Sequence, residues 1–271
     1  MPIFTSREKN CVQTVKNMSS ISIQNISIKF RIYHDRSPSL KDQFANMFKR
    51  SRQASYSDFW AIKDVSIEIK AGDRIGILGH NGAGKSTLLK TLCRVYEPSA
   101  GSIFVTGRIA PLLEIGAGFH SEFTGRENIY LNGSILGYSK QQLKKIEPEV
   151  IAFAELEQFI DTPVKYYSTG MYMRLAFSLA TAVHPDILVL DEIFAGGDAS
   201  FLLKAKARMS DMIDNANIVI MVSHDHQLIT SLCNRVIWLD HGKLIADGEP
   251  NEIVERYLVG RKNTTLLAEL N

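Results

Sequence analysis

The strongest chemical pattern in this sequence is a glycine-rich stretch that ends in a lysine and two hydroxyl side chains. Its residues are Gly79, His80, Asn81, Gly82, Ala83, Gly84, Lys85, Ser86 and Thr87. The stretch fits the phosphate-loop pattern GxxxxGK[ST]. Glycines let several backbone N–H groups converge on one anion, Lys85 can reach the β- and γ-phosphates, and the Ser86 hydroxyl can ligate Mg²⁺. The pattern therefore predicts a nucleotide-binding loop.

The sequence on either side of this loop fits the same interpretation. Residues 74–78 form a short apolar run that indicates a buried strand, and residues 86–92 have the pattern of a helix. The positive end of that helix would face the phosphates. An accidental glycine-rich turn would match the pattern in on the order of one per cent of chains of this length. The order of strand, loop and helix makes an accident rarer still.

A second apolar run ends in two carboxylates. Residues 187–190 are continuously apolar and precede Asp191 and Glu192, which is typical of a strand buried on both faces of a parallel sheet. Open α/β sheets bind their ligands at the carboxyl ends of such strands. Two acidic groups without partners at the edge of a core are costly, which disfavours a purely structural role. Asp191 is predicted to contact Mg²⁺, and Glu192 to polarise the attacking water.

A histidine follows a third buried run. Residues 217–225 are predicted to form a strand parallel to the one before the phosphate loop, with His224 at its end. A lone histidine is more often structural, but this position favours contact with the γ-phosphate. His226 and His241 lack that context and are assigned no role.

Composition limits the other possibilities. The chain has 271 residues and a formal net charge of +2, which lacks the basic excess typical of nucleic-acid binding, so no nucleic-acid partner is expected. Cys11, Cys93 and Cys233 are far apart and form no metal-like pair, which favours a reduced cytosolic compartment. We find neither an apolar run long enough to span a membrane nor the apolar core of a signal peptide.

Two alternating segments precede the phosphate loop. Residues 21–30 and 61–69 alternate apolar and polar side chains and are predicted strands. Between them, residues 29–52 hold seven basic and two acidic side chains, and 40–48 have one apolar helical face. This basic insertion is interpreted either as a solvated helix on its own domain or as a contact with a membrane surface or an anionic substrate. Phe59 and Trp60 precede the second strand, and an aromatic ring there could stack on adenine or pack in the core.

Together these pieces resemble the ATP-binding subunit of an ABC transporter, over residues 21–258. The family signature LSGGQ corresponds to residues 167–171, where Ser168 and Gly170 match and the other three positions depart. Residues 173–182 are predicted to form a helix whose amide end can face an anion. The resemblance implies a homodimer in which Ser168, Thr169 and Gly170 contact the nucleotide of the opposite subunit, and Asp198 lies at the dimer interface.

The resemblance also implies a fold and a domain organisation. The fold is the α/β ABC-type nucleotide-binding domain of P-loop NTPases, with a mixed sheet core, an antiparallel β lobe and a smaller helical lobe. We expect a poorly ordered leader at 1–20, the ATPase domain at 21–248, and a C-terminal helix and tail at 249–271. Within the ATPase domain lie the basic helical insertion at about 31–58 and the helical lobe at about 120–175.

Further site residues come from the same resemblance. Trp60 takes the position that stacks on adenine. The family glutamine that senses Mg²⁺ corresponds to Glu114 or Ile115, and Glu114 is chosen.

The phrases GAGFHSEFTGREN, YSTGMYMRLAFSLA and DEIFAGGDASF resemble the polysaccharide-export branch of this family. That branch implies ATP hydrolysis that drives export of a lipid-linked polysaccharide, here interpreted as O-antigen, through a separate permease dimer in the membrane. The chain would then sit peripherally at the cytoplasmic face of the inner membrane. Capsular polysaccharide and teichoic acid exporters are the alternatives within the branch. A non-transport ABC ATPase is disfavoured because the chain has neither a long coiled-coil insertion nor a second ATPase unit. About twenty residues follow 248–250, too few for the carbohydrate-binding domain that some relatives carry.

Overall fold

The computed structural model describes residues 19–33, 56–113, 115–191 and 199–269, with the side chains of residue 199 and of 261–269 excepted. Several predictions fall elsewhere: Glu114, Glu192 and Asp198, most of the leader, and the helix within the basic insertion all lie outside the described residues.

In the described part of the chain, an initial pair of long strands is followed by strands interspersed with helices. The strands are β1 (Ser20–Tyr33), β2 (Tyr56–Lys70), β3 (Arg74–Leu78), β4 (Ala100–Thr106), β5 (Ile109–Leu112), β6 (Ile187–Asp191), β7 (Ile218–Val222), β8 (Arg235–Asp240) and β9 (Lys243–Gly248). The helices are α1 (Lys85–Leu92), α2 (Gly125–Ile135), α3 (Lys140–Ala154), α4 (Thr169–Ala180), α5 (Ala199–Asn215), α6 (His226–Leu232) and α7 (Pro250–Glu269).

The described strands form two sheets. A three-stranded antiparallel sheet has the order β2-β1-β4, and a six-stranded sheet has the order β5-β6-β7-β3-β8-β9. The larger sheet is parallel except that β9 runs antiparallel to β8. This arrangement confirms the predicted α/β fold with a mixed sheet and an antiparallel lobe. Because β3, β6 and β7 are parallel neighbours, the residues that follow them meet at one edge of the sheet.

The burial of the central strands explains their sequence patterns. β7 is buried at every position, and β3 and β6 are buried at four of five. Their runs are continuously apolar because helices or the second sheet cover both faces. One core cluster includes Ile23 of β1, Ile67 of β2, Ile77 of β3 and Leu89 of α1, so the two sheets share a core around the start of α1.

The helical lobe forms where the sequence predicted helices. α2 and α3 are separated at Gly137, which has a φ of 84°, a left-handed conformation that glycine adopts without strain. Both helices begin with a capping box, made by Thr124 with Glu127 and by Ser139 with Gln142. The Thr124 backbone N–H and hydroxyl donate to Glu127, and these hydrogen bonds hold the pKa of that carboxyl below its usual value.

Both ends of the predicted basic insertion, about 31–58, overlap the long strands, since β1 extends to Tyr33 and β2 begins at Tyr56. Arg31 and Tyr33 belong to β1, where they pair with Asp58 and Tyr56 of β2. The Arg31 guanidinium lies over the Tyr56 ring, 4.0 Å from its centroid, so cross-strand contacts extend the antiparallel pair into the basic stretch. The predicted leader similarly loses its last residue to β1, which begins at Ser20.

The end of the chain forms the predicted C-terminal helix, α7. Its Tyr257 ring packs edge-on against Trp238 of β8, with the ring centroids 5.6 Å apart. Ile253 and Val254 are buried against the larger sheet. Among the described residues, no helix combines the length and apolar character needed to cross a bilayer.

Burial lowers the reactivity of the two cysteines that the structure describes. Burial raises the pKa of Cys93 and of Cys233 to about 12, so both thiols are protonated at neutral pH. Since the thiolate is the reactive form, this burial disfavours reaction at either sulfur.

Asn128 joins the helical lobe to the loop that precedes it. Its side chain is fully buried, and its amide nitrogen donates to the carbonyls of His120, Phe123 and Thr124 at 3.0–3.1 Å. Its side-chain oxygen accepts from the His120 backbone N–H at 2.7 Å. The three carbonyls also accept from backbone N–H groups, those of Phe123, Val164 and Asn128, whereas the Asn128 side-chain oxygen is the partner that the His120 N–H has among the described residues.

We expect Asn128→Ala to lower the free energy of unfolding by about 1–3 kcal/mol, because it leaves the His120 N–H without its partner and removes the side-chain hydrogen bonds to three carbonyls. Urea unfolding followed by circular dichroism measures this loss. Ser134→Ala on the exposed side of α2 is the matched control and should stay within about 0.5 kcal/mol of the parent protein. Equal unfolding midpoints for the two variants would contradict the assigned role of Asn128.

Candidate nucleotide-binding site

The phosphate loop connects β3 to α1 in a conformation that requires glycine at two positions. Gly79 has a φ of 155° and Gly84 a φ of 102°. A Cβ on Gly79 would lie 2.4 Å from the Leu239 carbonyl oxygen, and one on Gly84 would lie 2.6 Å from the Ala61 carbonyl oxygen. The loop is thus pressed between β2 and β8, and no larger side chain fits at either glycine.

A cavity of about 270 Å³ opens in front of this loop. Its described lining consists of Phe59, Ala61, Asn81, Gly82, Gly84, Lys85, Ser86, Thr87, Asp191, Val222 and His224. Six of the nine predicted loop residues therefore face the cavity, and Lys85 is one of them. Gly79, His80 and Ala83 do not line it and support the loop from behind.

Lys85 brings a positive charge to the wall of this cavity. The residue is 9% exposed, and its ammonium donates to the carbonyls of Gly79 at 2.7 Å and His80 at 3.1 Å. These carbonyls orient a cation that is largely removed from water. A buried ammonium at a cavity wall is a strong attractant for an anion, as the sequence predicted for phosphate.

The start of α1 adds backbone donors to the same wall. The N-cap residue is Gly84, and no described side chain caps the helix there. The first N–H groups of a helix have no partner within the helix, so at this position they are available to an anion.

Ser86 and Asp191 meet across the cavity although they are far apart in the sequence. The Ser86 hydroxyl donates to Asp191 Oδ2 at 3.2 Å. Asp191 reaches this point because β6 ends there, next to β7 in the parallel sheet. A hydroxyl and a carboxylate oxygen at the mouth of a phosphate loop are ligands that Mg²⁺ prefers, so these residues fit that ion.

His224 lies at the same edge of the sheet. It follows β7 by two residues, is exposed and lines the cavity. The next residue, Asp225, caps α6, and its carboxylate accepts from the backbone N–H groups of Gln227 and Leu228 at 2.9 and 3.1 Å. These hydrogen bonds fix the backbone immediately after His224, so the imidazole is attached to a backbone of defined position. The structure therefore brings His224 to the cavity with Lys85 and Asp191.

The aromatic residue at the cavity is Phe59, which sequence reasoning missed in favour of Trp60. Phe59 and Ala61 line the cavity, whereas Trp60 does not. The Trp60 ring instead contacts Lys29, whose ammonium lies 5.4 Å from the ring centroid. Ala61 and Ile62 are both buried and the register of β2 shifts between the Ile62 and Trp60 pairs, so strict alternation along the sequence does not single out Phe59.

The signature segment forms a helix N-terminus, but the helix starts earlier than predicted. α4 begins at Thr169 rather than at 173, because Ser168 is its N-cap and its hydroxyl accepts from the Met171 N–H at 3.2 Å. Ser168 and Thr169 are exposed, and neither they nor Gly170 line the described cavity of their own chain.

Gly170 has no evident role in the packing of its own chain. A Cβ at this position would meet only Ser168 Oγ, at 3.9 Å. Glycine near a helix start costs stability relative to other residues. The absence of a side chain there therefore favours a close approach by something outside the described residues of this chain.

Comparisons with known proteins agree with this geometry. Residues 62–195 match the sequence profile described as ABC transporter. The chain is 41% identical to the O-antigen export system ATP-binding protein of Yersinia enterocolitica, over 83% of this chain and 96% of that protein. It is 44% identical to the corresponding protein of Myxococcus xanthus, over 77% of this chain but only 47% of that longer protein. It is 34% identical to the teichoic acids export ATP-binding protein of Bacillus cereus, over 88% of this chain and 42% of that protein.

Solved structures share the fold. A dimeric ATP-binding cassette in a post-hydrolysis state, bound to ADP and Pi, superposes with a TM-score of 0.60 at 20% identity, covering 85% of this chain and 98% of that one. An ATP-binding subunit of an ABC transporter gives a TM-score of 0.61, also at 20% identity, over 88% and 92% of the two chains.

We expect Phe59→Ala to weaken ATP binding by about 5- to 150-fold, the equivalent of about 1–3 kcal/mol for loss of one ring stacked on a base. Trp60→Ala is the matched control, since its ring lies outside the cavity. Isothermal titration of each variant with Mg-ATP compares the two dissociation constants. A larger loss in Trp60→Ala would return the adenine contact to Trp60.

Proposed function

Since the chain belongs to the ABC transporter family of ATP-binding proteins, we propose that it hydrolyses ATP to drive export of a lipid-linked polysaccharide. The observation that carries the ATPase activity is the single cavity shared by the phosphate loop, Asp191 and His224. The export role rests on the relatives, above all the 41% identity that extends over 96% of the Yersinia enterocolitica O-antigen export protein. We favour O-antigen as the substrate class for this reason.

ATP binding uses groups that the fold has already positioned. The phosphates are received by the first N–H groups of α1 and by the Lys85 ammonium, which neighbouring carbonyls orient. The adenine stacks on Phe59 at the other side of the cavity. Mg²⁺, held by Ser86 and Asp191 and sensed by Glu114, would neutralise charge on the β- and γ-phosphates.

Hydrolysis needs a group that orients the attacking water. Glu192 directly follows Asp191, so this part of the proposal rests on sequence order. His224 contributes a hydrogen bond to the γ-phosphate from the end of β7. Lys85 stabilises the charge of the transferred group, as positively charged side chains do in phosphoryl transfer.

The nucleotide site is completed by a second copy of the chain. Ser168, Thr169 and Gly170 form an exposed helix start that is separate from the cavity of their own subunit. In a homodimer this start contacts the γ-phosphate held by the partner, where its free N–H groups favour an anion. Asp198 belongs to the same interface by its place in the sequence.

The proposed complex also contains a permease dimer in the membrane. The ATPase homodimer binds it peripherally at the cytoplasmic face of the inner membrane. ATP binding closes the dimer and hydrolysis reopens it, which gives the two states needed to drive a channel. Teichoic acid export is the second candidate, because the Bacillus cereus exporter is 34% identical over 88% of this chain.

We expect Ser168→Arg to abolish ATP hydrolysis while ATP binding by the isolated subunit stays within about twofold of the parent. The long cationic side chain blocks the interface but lies outside the cavity of its own chain. Coupled-enzyme turnover and ATP titration measure the two effects, with Ser134→Arg on exposed α2 as control. Mixing Ser168→Arg with Lys85→Ala should restore part of the turnover, because the mixed dimer contains one intact composite site. Loss of ATP binding in Ser168→Arg would argue against a site completed by the partner.

Deleting the gene tests the substrate class. We expect a lipid-linked polymer to accumulate inside the cell while the surface polysaccharide disappears, as measured by mass analysis of extracted glycolipids. The parent gene should reverse this, and Glu192→Gln should not, since loss of a general base lowers turnover by about 10²–10⁴-fold. A polymer on a teichoic acid linkage would move the assignment to that class, and an unchanged surface with no accumulation would refute export of a polysaccharide.

A further inference from the structure

Two histidines and a carboxylate meet behind the phosphate loop. His80 comes from the loop, Asp240 ends β8, and His241 follows in the turn to β9. One donor atom from each side chain lies within 4.8 Å of the other two. The His80 Nε2 atom is 3.0 Å from Asp240 Oδ1, and the two imidazole centroids are 4.7 Å apart.

The hydrogen bonds of His80 define which of its nitrogens is available. Nδ1 lies 2.6 Å from the Asn81 carbonyl oxygen, which can only accept, so Nδ1 must carry the proton. In the neutral ring Nε2 is then an unprotonated acceptor. A histidine that donates from one nitrogen to a backbone carbonyl and presents the other as a lone pair is the usual arrangement of a metal ligand.

Nε2 of His80 is buried but makes no directional hydrogen bond in the described part of the chain. Its close neighbour, the Asp240 carboxylate, is also an acceptor, so two lone-pair donors face each other at 3.0 Å. A proton between them would favour a straight hydrogen bond, which the atoms do not form. A cation bound by both atoms would accept the two lone pairs and remove the repulsion between them.

The turn that carries His241 is firmly held. His241 has a φ of 45° and Gly242 a φ of 75°, the positive pair expected of a type I′ hairpin turn. Gly242 donates to the Ala83 carbonyl at 3.0 Å and accepts from the Lys63 N–H at 2.8 Å. These bonds fix the turn against both the phosphate loop and β2, so the backbones that carry the three side chains have a defined spacing.

We propose that His80, Asp240 and His241 bind a divalent transition-metal ion, with Zn²⁺ as the best fit. Two imidazoles and one carboxylate form a donor set that Zn²⁺ uses in proteins, and water can fill a fourth position. Zinc ligands lie about 2.0–2.2 Å from the ion, so the His80 and Asp240 atoms, which are 3.0 Å apart, are close enough to share one ion, and the His241 donor must approach them by roughly 1 Å. The exposed His241 ring can make this movement by rotating about its side-chain bonds.

This metal site is distinct from the Mg²⁺ position proposed at Ser86 and Asp191. None of the three residues lines the nucleotide cavity described above. The donor types differ as well, since imidazole nitrogen selects transition metals and oxygen donors select Mg²⁺. The proposal therefore does not depend on the polysaccharide-export function.

The test uses the full-length, tag-free protein after treatment with a chelator. Co²⁺ is titrated in the presence of excess Mg²⁺, which occupies the oxygen site, and the visible absorption of Co²⁺ reports nitrogen coordination in a four- or five-coordinate site. We expect one Co²⁺ per chain, displacement by Zn²⁺, and a higher melting temperature for the zinc-bound protein because ligands that bind the folded state stabilise it.

His241→Asn removes one ligand and keeps a residue that tolerates the left-handed turn. We expect it to weaken Co²⁺ binding by about tenfold or more, and Asp240→Asn to do the same. The matched control is His184→Asn, which breaks an exposed His184–Asp211 pair of 3.3 Å that belongs to no described three-residue donor cluster.

The melting temperature of each metal-free variant verifies that it folds. A site at these residues requires that both cluster variants lose affinity while His184→Asn keeps it. Failure of the parent protein to bind Co²⁺ at one per chain would overturn the proposal. Equal affinity in the parent and both cluster variants would do so too, since the ion would then be bound elsewhere.

Discussion

The close packing of the phosphate loop against two backbone carbonyls is the contact on which the site depends. Gly79 lies against Leu239 and Gly84 against Ala61, so closely that a Cβ would lie 2.4 or 2.6 Å from the carbonyl oxygen. Leu239 belongs to the parallel sheet and Ala61 to the antiparallel one, so both sheets define the curvature of the loop. That curvature turns Lys85 towards the cavity and exposes the start of α1 to an anion.

Local patterns were sufficient to predict the residues that meet in front of this loop. The runs before Asp191 and His224 are apolar because their strands are buried on both faces, and parallel strands end at the same edge of a sheet. The 3.2 Å contact between Ser86 and Asp191 follows from that geometry across more than a hundred residues of sequence. The helical lobe was equally predictable, because its capping boxes and Gly137 mark where helices start and stop.

The features that were predicted wrongly depend on tertiary contacts. The choice between Phe59 and Trp60 depends on which face of β2 meets the cavity, and β-bulges between β1 and β2 obscure that face in the sequence. The start of α4 was placed too late because Ser168 was considered only as a phosphate contact and not also as the N-cap of the helix. Arg31 extends β1 because a cross-strand partner is present, which charge patterning along one segment does not reveal.

The loop presents different chemistry on its two sides. Asn81 and Gly82 face the nucleotide cavity, while the imidazole of His80 meets Asp240 and His241. The His80 carbonyl accepts from the Lys85 ammonium at 3.1 Å, so one residue touches both the cation proposed to bind phosphate and the side-chain cluster behind it. A displacement of the β8–β9 turn would therefore reach the nucleotide through His80. By linkage, any ion that changes ATP affinity through this residue must have its own affinity changed by ATP to the same extent.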